Sequence, residues 1–96
     1  MAMTVIVTRD VPERTRGFLA SIMPEPAPGV YVAGDLSKAV RERAWTVVTG
    51  WHEQSARGSV VMLWKDDQAP GGIAIATLGT PPRRLADLDG VLVSVW

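Results

Sequence analysis

Eight of the ten basic residues in this 96-residue chain are arginine, and only Lys38 and Lys65 are lysine. Arginine forks bind phosphate and carboxylate in two-pronged geometry, which lysine does not match. The bias therefore points to anion recognition, although GC-rich codon usage would produce it as well. Arg14 and Arg16 fall in the first turns of a helix that opens at Asp10-Val11-Pro12-Glu13. A helix N-terminus with two guanidinium forks can hold a phosphate, or the two can be a solvated face paired locally with Glu13. Arg83 and Arg84 follow Pro81-Pro82, whose rings stiffen the approach. They are either presented to a ligand or simply exposed near Asp87 and Asp89. Arg41 and Arg43 read as surface charge.

The acids offer less. Asp10 follows the first strand and could hold Mg²⁺ through one or two oxygens plus water, but capping the helix is the stronger reading. Asp66, Asp67, Asp87 and Asp89 sit in turn sequence and read as turn formers. His52 is the lone histidine, and a residue beside Trp51 on a helix is more readily a surface or interface group than a base. No Gly-rich phosphate loop, GxSxG or HExxH is present. The absence of cysteine excludes a disulfide scaffold, a thiolate metal site and a cysteine nucleophile. The charges balance to zero, which argues against a nonspecific nucleic-acid binder with a basic excess.

These residues need elements to position them. Met3 to Thr8 is a β-branched strand. Val11, Thr15, Phe18, Leu19 and Ile22 share one helical face, and Pro24, Pro26 and Pro28 end that helix. Gly17 inside it suggests close backbone approach. Gly29 to Ala33 is a second strand, turned at Gly34-Asp35. Ser37 caps a second helix, with Leu36 as staple. Val40, Ala44, Val47, Val48 and Trp51 form its apolar face, and it stops before Gly58. Ser59 to Lys65 and Gly72 to Leu78 form a hairpin across a turn, a loop of about a dozen residues runs from Gly79 to Gly90, and Val91 to Trp96 is a last strand. Trp45, Trp51 and Trp64 read as core or interface, and Trp96 as a residue that docks on a partner.

The order β-α-β-α-β-β-β predicts a single α+β domain over residues 1–96, a ferredoxin-like split β-α-β with one antiparallel sheet and two helices on one face. Two helices cover one sheet face, yet Val60, Met62 and Trp64 alternate with Val61 and Leu63, so both faces are apolar. An uncovered apolar face predicts a homodimer through the sheets, and Val91 to Trp96 is an edge suited to pairing with another chain. No apolar run nears the roughly 18 residues of a membrane span, and Met1 to Thr8 lack a signal-peptide pattern. The expected location is cytoplasmic.

Taken together, MxMxVIVTxxVPxRxRGxL at Met1 to Leu19, GVYV at Gly29 to Val32, GDLS at Gly34 to Ser37, REx₂W at Arg41 to Trp45, SVVMLW at Ser59 to Trp64 and RRx₂DLDG at Arg83 to Gly90 resemble CRISPR-associated protein two of the type I-E branch. The resemblance implies a ferredoxin-like homodimer at the centre of the CRISPR adaptation complex. That dimer bridges dimers of the integrase subunit, CRISPR-associated protein one, and spans the protospacer duplex. It carries DNA-backbone contacts over to Arg14, Arg16, Arg83 and Arg84, and integrase pairing to Val91, Leu92, Val93, Ser94, Val95 and Trp96. It also implies a second activity, Mg²⁺-dependent cleavage of RNA or double-stranded DNA, with Asp10 as the catalytic and metal-binding candidate. The family's acid at the end of strand one falls on Arg9 here, and two such arginines facing each other would repel a metal.

Overall fold

The computed structural model describes residues 2–79 and 84–95. Strand β1 (Ala2–Arg9) leads to helix α1 (Glu13–Ile22), β2 (Val30–Leu36), helix α2 (Lys38–Ser55), β3 (Ser59–Lys65), β4 (Ile73–Leu78), β5 (Arg84–Leu88) and β6 (Val91–Val95). The first four strands form an antiparallel sheet in the order β2-β1-β3-β4. Both β2 and β3 run antiparallel to β1, so β2-α2-β3 is a split β-α-β with β1 inserted between its strands. This is the expected ferredoxin-like α+β fold. Its outer edge beyond β2 is covered by the proline segment, where Val32 N–H donates to Pro24 O at 3.0 Å and Val30 N–H to Ala27 O at 2.9 Å. Prolines cannot donate to a further strand, so this edge is blunted against pairing.

Alternation along β1 decides what is buried. Thr4 and Ile6 face the helices and are buried, whereas Met3 and Val7 point to the other face and are exposed. Ile6 lies opposite Tyr31 on one side and Met62 on the other. These three join Leu19, Met23, Val48 and Val60 in the core, and Phe18, Trp45 and Trp64 pack around it. Each fully buried apolar side chain contributes about 1.5–3 kcal/mol of transfer free energy. The α1 face is as expected, but Val40 at the start of α2 is exposed. Ser37 caps α2, its Oγ accepting from Val40 N–H at 3.2 Å.

Several expectations are corrected. Gly34 and Asp35 do not turn the chain. Strand β2 continues to Leu36 through a register shift, Thr4 pairing with Ala33 but Ala2 with Leu36, which places one extra residue on β2. Asp10 does not cap α1. It adopts a left-handed conformation (φ 54°), and Pro12 stands at the N-cap with no side-chain cap. Gly17 faces open space rather than a neighbouring backbone. The loop from Gly79 to Gly90 contains β5, which pairs with β6 across Asp89-Gly90, both at positive φ (51° and 85°). That is the geometry of a two-residue hairpin turn. The hairpin is a second, two-stranded sheet, so the described residues form two antiparallel sheets rather than one. It contacts the short 3₁₀ turn at Pro70–Gly72.

Helix α2 ends in a left-handed Ala56 (φ 48°), and the chain returns to β3 through Gly58 (φ 79°). A Cβ on Gly58 would lie 2.3 Å from Asp10 O and 2.4 Å from Arg9 O. Only glycine admits this contact, and it holds the α2-β3 connection against the end of β1. Gly58→Ala is expected to cost about 2–4 kcal/mol in chemical denaturation. Gly17→Ala, in open helix, is expected to add about 0.5–1 kcal/mol. Equal stability for the two variants would refute the assigned contact.

Candidate functional site

Arg14 and Arg16 leave α1 in different directions. The Arg14 guanidinium lies 4.9 Å from the Trp51 ring centroid, and its Nη2 donates to Gln54 Oε1 at 2.8 Å. Trp51 in turn meets Phe18 edge-on, with ring centroids 5.5 Å apart. Arg14 thus spans α1 and α2 while remaining exposed. A cation over an indole face gains about 0.5–1 kcal/mol at an exposed site, enough to favour one orientation. A parallel contact places Arg41 over Trp64 at 4.5 Å, so Arg41 is a lid on the core edge rather than free surface charge.

Arg16 turns toward the proline segment. Its Nη2 is 3.5 Å from Glu25 Oε2, and the same carboxylate oxygen accepts Gly29 N–H at 2.9 Å. The Tyr31 hydroxyl donates to Arg16 O at 3.5 Å. Tyr31 and Glu25 both raise the Arg16 pKa, Tyr31 the more, so the guanidinium stays charged. Glu25 is held below the ordinary carboxylate range chiefly by the Gly29 N–H bond, with Arg16 assisting against partial burial. Burial pushes the Tyr31 phenol upward. The two arginines therefore form no single fork pair. Each is a separately oriented charge on one flank of α1.

At the carboxyl end of β1 lies a cleft of about 380 Å³ whose lining includes Thr8, Arg9, Asp10, Glu13, Arg16 and Arg57. Arg57 Nη2 stands 3.5 Å from Asp10 Oδ1. A divalent cation wants several oxygen ligands converging on one point. Here the carboxylates of Asp10 and Glu13 share the cleft with three guanidiniums, and among the described residues no group of three acids or histidines is brought together. The residues do not suit Mg²⁺.

The other candidates fall elsewhere. Arg84 is exposed at the start of β5, while Arg83 and Trp96 lie outside the described residues. In β6, Val91 and Ser94 are exposed, and Leu92, Val93 and Val95 are half-buried. His52 is half-buried, its Nε2 3.3 Å from Gly58 O, which makes it a brace for the α2-β3 connection. The turn acids serve as expected: Asp66 accepts from Gln68 N–H at 2.9 Å and Asp87 from Gly90 N–H at 2.8 Å. The outer sheet face exposes Met3, Val7 and Ile73. It carries a shallow apolar depression of about 460 Å³ that also involves Val5, Leu63 and Trp64. No helix among the described residues is long and apolar enough to cross a membrane. Sequence reasoning missed Glu25, Tyr31 and Arg57, whose partners are distant in the chain.

The family model described as CRISPR-associated protein (Cas_Cas2CT1978) matches residues 3–93. The chain belongs to this family of Cas2-type CRISPR-associated proteins.

Because the Glu25 carboxylate is depressed in the folded state, its stabilising contribution is present at neutral pH and is lost as pH falls through its folded pKa. Glu25→Gln should lower stability at neutral pH, and the gap to the unsubstituted chain should close on acidification. Denaturation curves at a series of pH values check this, and a gap independent of pH would refute it.

Proposed function

From membership of that family we propose that the chain is a structural, DNA-binding subunit of the CRISPR adaptation complex. In this reading two copies join through their sheets, bridge copies of the integrase subunit (CRISPR-associated protein one) and contact the backbone of the protospacer duplex. The contacts come from Arg14, Arg16, Arg83 and Arg84 of each copy, and the C-terminal segment Val91 to Trp96 engages the integrase. A cytoplasmic location follows from that role.

The observation that carries the reading is the state of Arg14 and Arg16. Both are oriented by neighbours, Arg14 by Trp51 and Gln54 and Arg16 by Glu25, yet both remain exposed. An oriented, exposed guanidinium loses less rotamer freedom when it meets a phosphate. The apolar outer face, with Met3 54% and Ile73 41% exposed, supports association of two copies. A two-fold axis then doubles every arginine and matches the pseudo-symmetry of a duplex. Phosphate contacts carry no base information, so recognition is expected to be sequence-independent. The alternative of a Mg²⁺-dependent nuclease built on Asp10 is disfavoured by the Arg57 pair and by Arg9.

Mixing the chain with its integrase partner and a short duplex should give a three-component complex by size-exclusion chromatography with light scattering, containing two copies of this chain. Arg14→Gln with Arg16→Gln should weaken duplex binding and flatten its salt dependence by about 0.9 for each phosphate that is no longer neutralised. A strictly monomeric chain, or unchanged binding at low salt, would overturn the reading.

A further inference from the structure

The cleft at the end of β1 is lined by guanidiniums where a cation site would need carboxylates. Arg9, Arg16 and Arg57 come from β1, α1 and the α2-β3 connection, and all three line the same space of about 380 Å³. Two of them are held there. Glu25 pairs with Arg16, and Arg57 pairs with Asp10 where Gly58 packs against Arg9 O and Asp10 O. Arg9 has no ion pair among the described residues. Non-glycine positive φ at Asp10 (54°) and Ala56 (48°) borders the same region, and strain of this kind gathers where surroundings hold a site in place. Asp10 and Glu13 also face the cleft, which limits the number of anionic groups it accepts and favours one small, multiply hydrogen-bonded oxyanion over a broad acidic surface.

We infer that Arg9, Arg16 and Arg57 form a phosphate-binding cleft that takes one phosphate group of a nucleic-acid strand. The inference rests on the DNA-binding reading above and extends it, because Arg16 belongs both to the α1 flank and to this cleft. The contact made by the flank is thereby continued around the end of β1 by Arg9 and Arg57. The shared ligand chemistry is a phosphate oxyanion, supplied by an internal diester, by a terminal monoester or by free phosphate.

The test is duplex binding by fluorescence anisotropy over a salt series, for the unsubstituted chain, Arg9→Gln, Arg57→Gln and the Arg14→Gln/Arg16→Gln double variant, each assembled with the integrase partner. Duplexes with and without a 5′-phosphate are compared, and inorganic phosphate is titrated separately while the arginine Nε–H resonances are followed at matched ionic strength. Arg9→Gln and Arg57→Gln should each flatten the salt dependence by about 0.9 per phosphate released from its arginine, and Arg57→Lys should recover less than the full effect. Equal effects on both duplexes assign the cleft to an internal diester. An effect confined to the 5′-phosphorylated duplex assigns it to a strand end. Inorganic phosphate should shift the Arg9, Arg16 and Arg57 resonances in both cases. Unaltered affinity and slope in Arg9→Gln and Arg57→Gln, with weakened binding in the double variant, would overturn the cleft and leave the function standing. Absence of duplex binding by the unsubstituted chain would overturn both. Because Arg57→Gln removes an exposed ion pair, its thermal unfolding is measured alongside, and the resonance shifts of the unsubstituted chain decide the matter if that variant fails to fold.

Discussion

The carboxyl end of β1 is tightly packed on two sides. The strand is paired on both sides, to β2 and to β3. The carbonyls of Arg9, its last residue, and of Asp10 just beyond it leave no room for a side chain at Gly58. On the β2 side Thr8 closes the other flank, its N–H donating to Gly29 O at 2.7 Å and its hydroxyl donating to the same oxygen at 3.0 Å. Three chain segments thus meet within hydrogen-bond or van der Waals contact of one strand end. Each brings a charged group: Glu25 lies four residues before Gly29, Arg57 just before Gly58, Arg9 ends the strand and Asp10 follows it. The placement of charge at this end of the sheet is a consequence of backbone packing.

That packing turns flexible charges into oriented ones. Arginine carries high rotamer freedom, so an unconstrained arginine loses entropy with every contact it makes. In this chain the loss is partly taken on folding, through the indole beneath Arg14 and the carboxylate beside Arg16. Exposed ion pairs and cation-π contacts add little to stability. Their physical effect is direction. The same reasoning explains Tyr31, whose ring fills the core while its hydroxyl reaches the backbone of α1.

Much of the fold was legible in the sequence because it follows periodicity. The apolar face from Val11 to Ile22, the cap at Ser37, the β3-β4 hairpin and the two-faced apolar strands each rest on local spacing. What local spacing could not show came from competing local signals or from distant partners. Asp10 has the residue type and offset of a capping box, but Pro12 stands at the cap and the tight approach of Gly58 accompanies a left-handed Asp10. The Asp89-Gly90 pair was a direct hairpin signal hidden by the surrounding proline- and acid-containing segment. In the site, the exposed arginine on α1 was readable, but its partners Glu25 and Tyr31 lie 9 and 15 residues away in sequence. Arg57 reaches Asp10 across 47 residues. No spacing rule within one helix or strand connects such pairs.

Charge balance then takes a different meaning from the one composition suggests. Ten basic and ten acidic residues cancel over the whole chain, which would keep long-range attraction to a polyanion weak. At short range the balance is uneven, because screening at physiological salt limits each charge to about 8 Å. The cleft at the end of β1 is lined by three arginines together with Asp10 and Glu13. A chain built this way has little nonspecific pull on nucleic acid, and its attraction becomes appreciable only where a phosphate is brought into contact. In the proposed adaptation complex, assembly would supply that proximity, so a neutral chain and a locally basic cleft are compatible parts of one design.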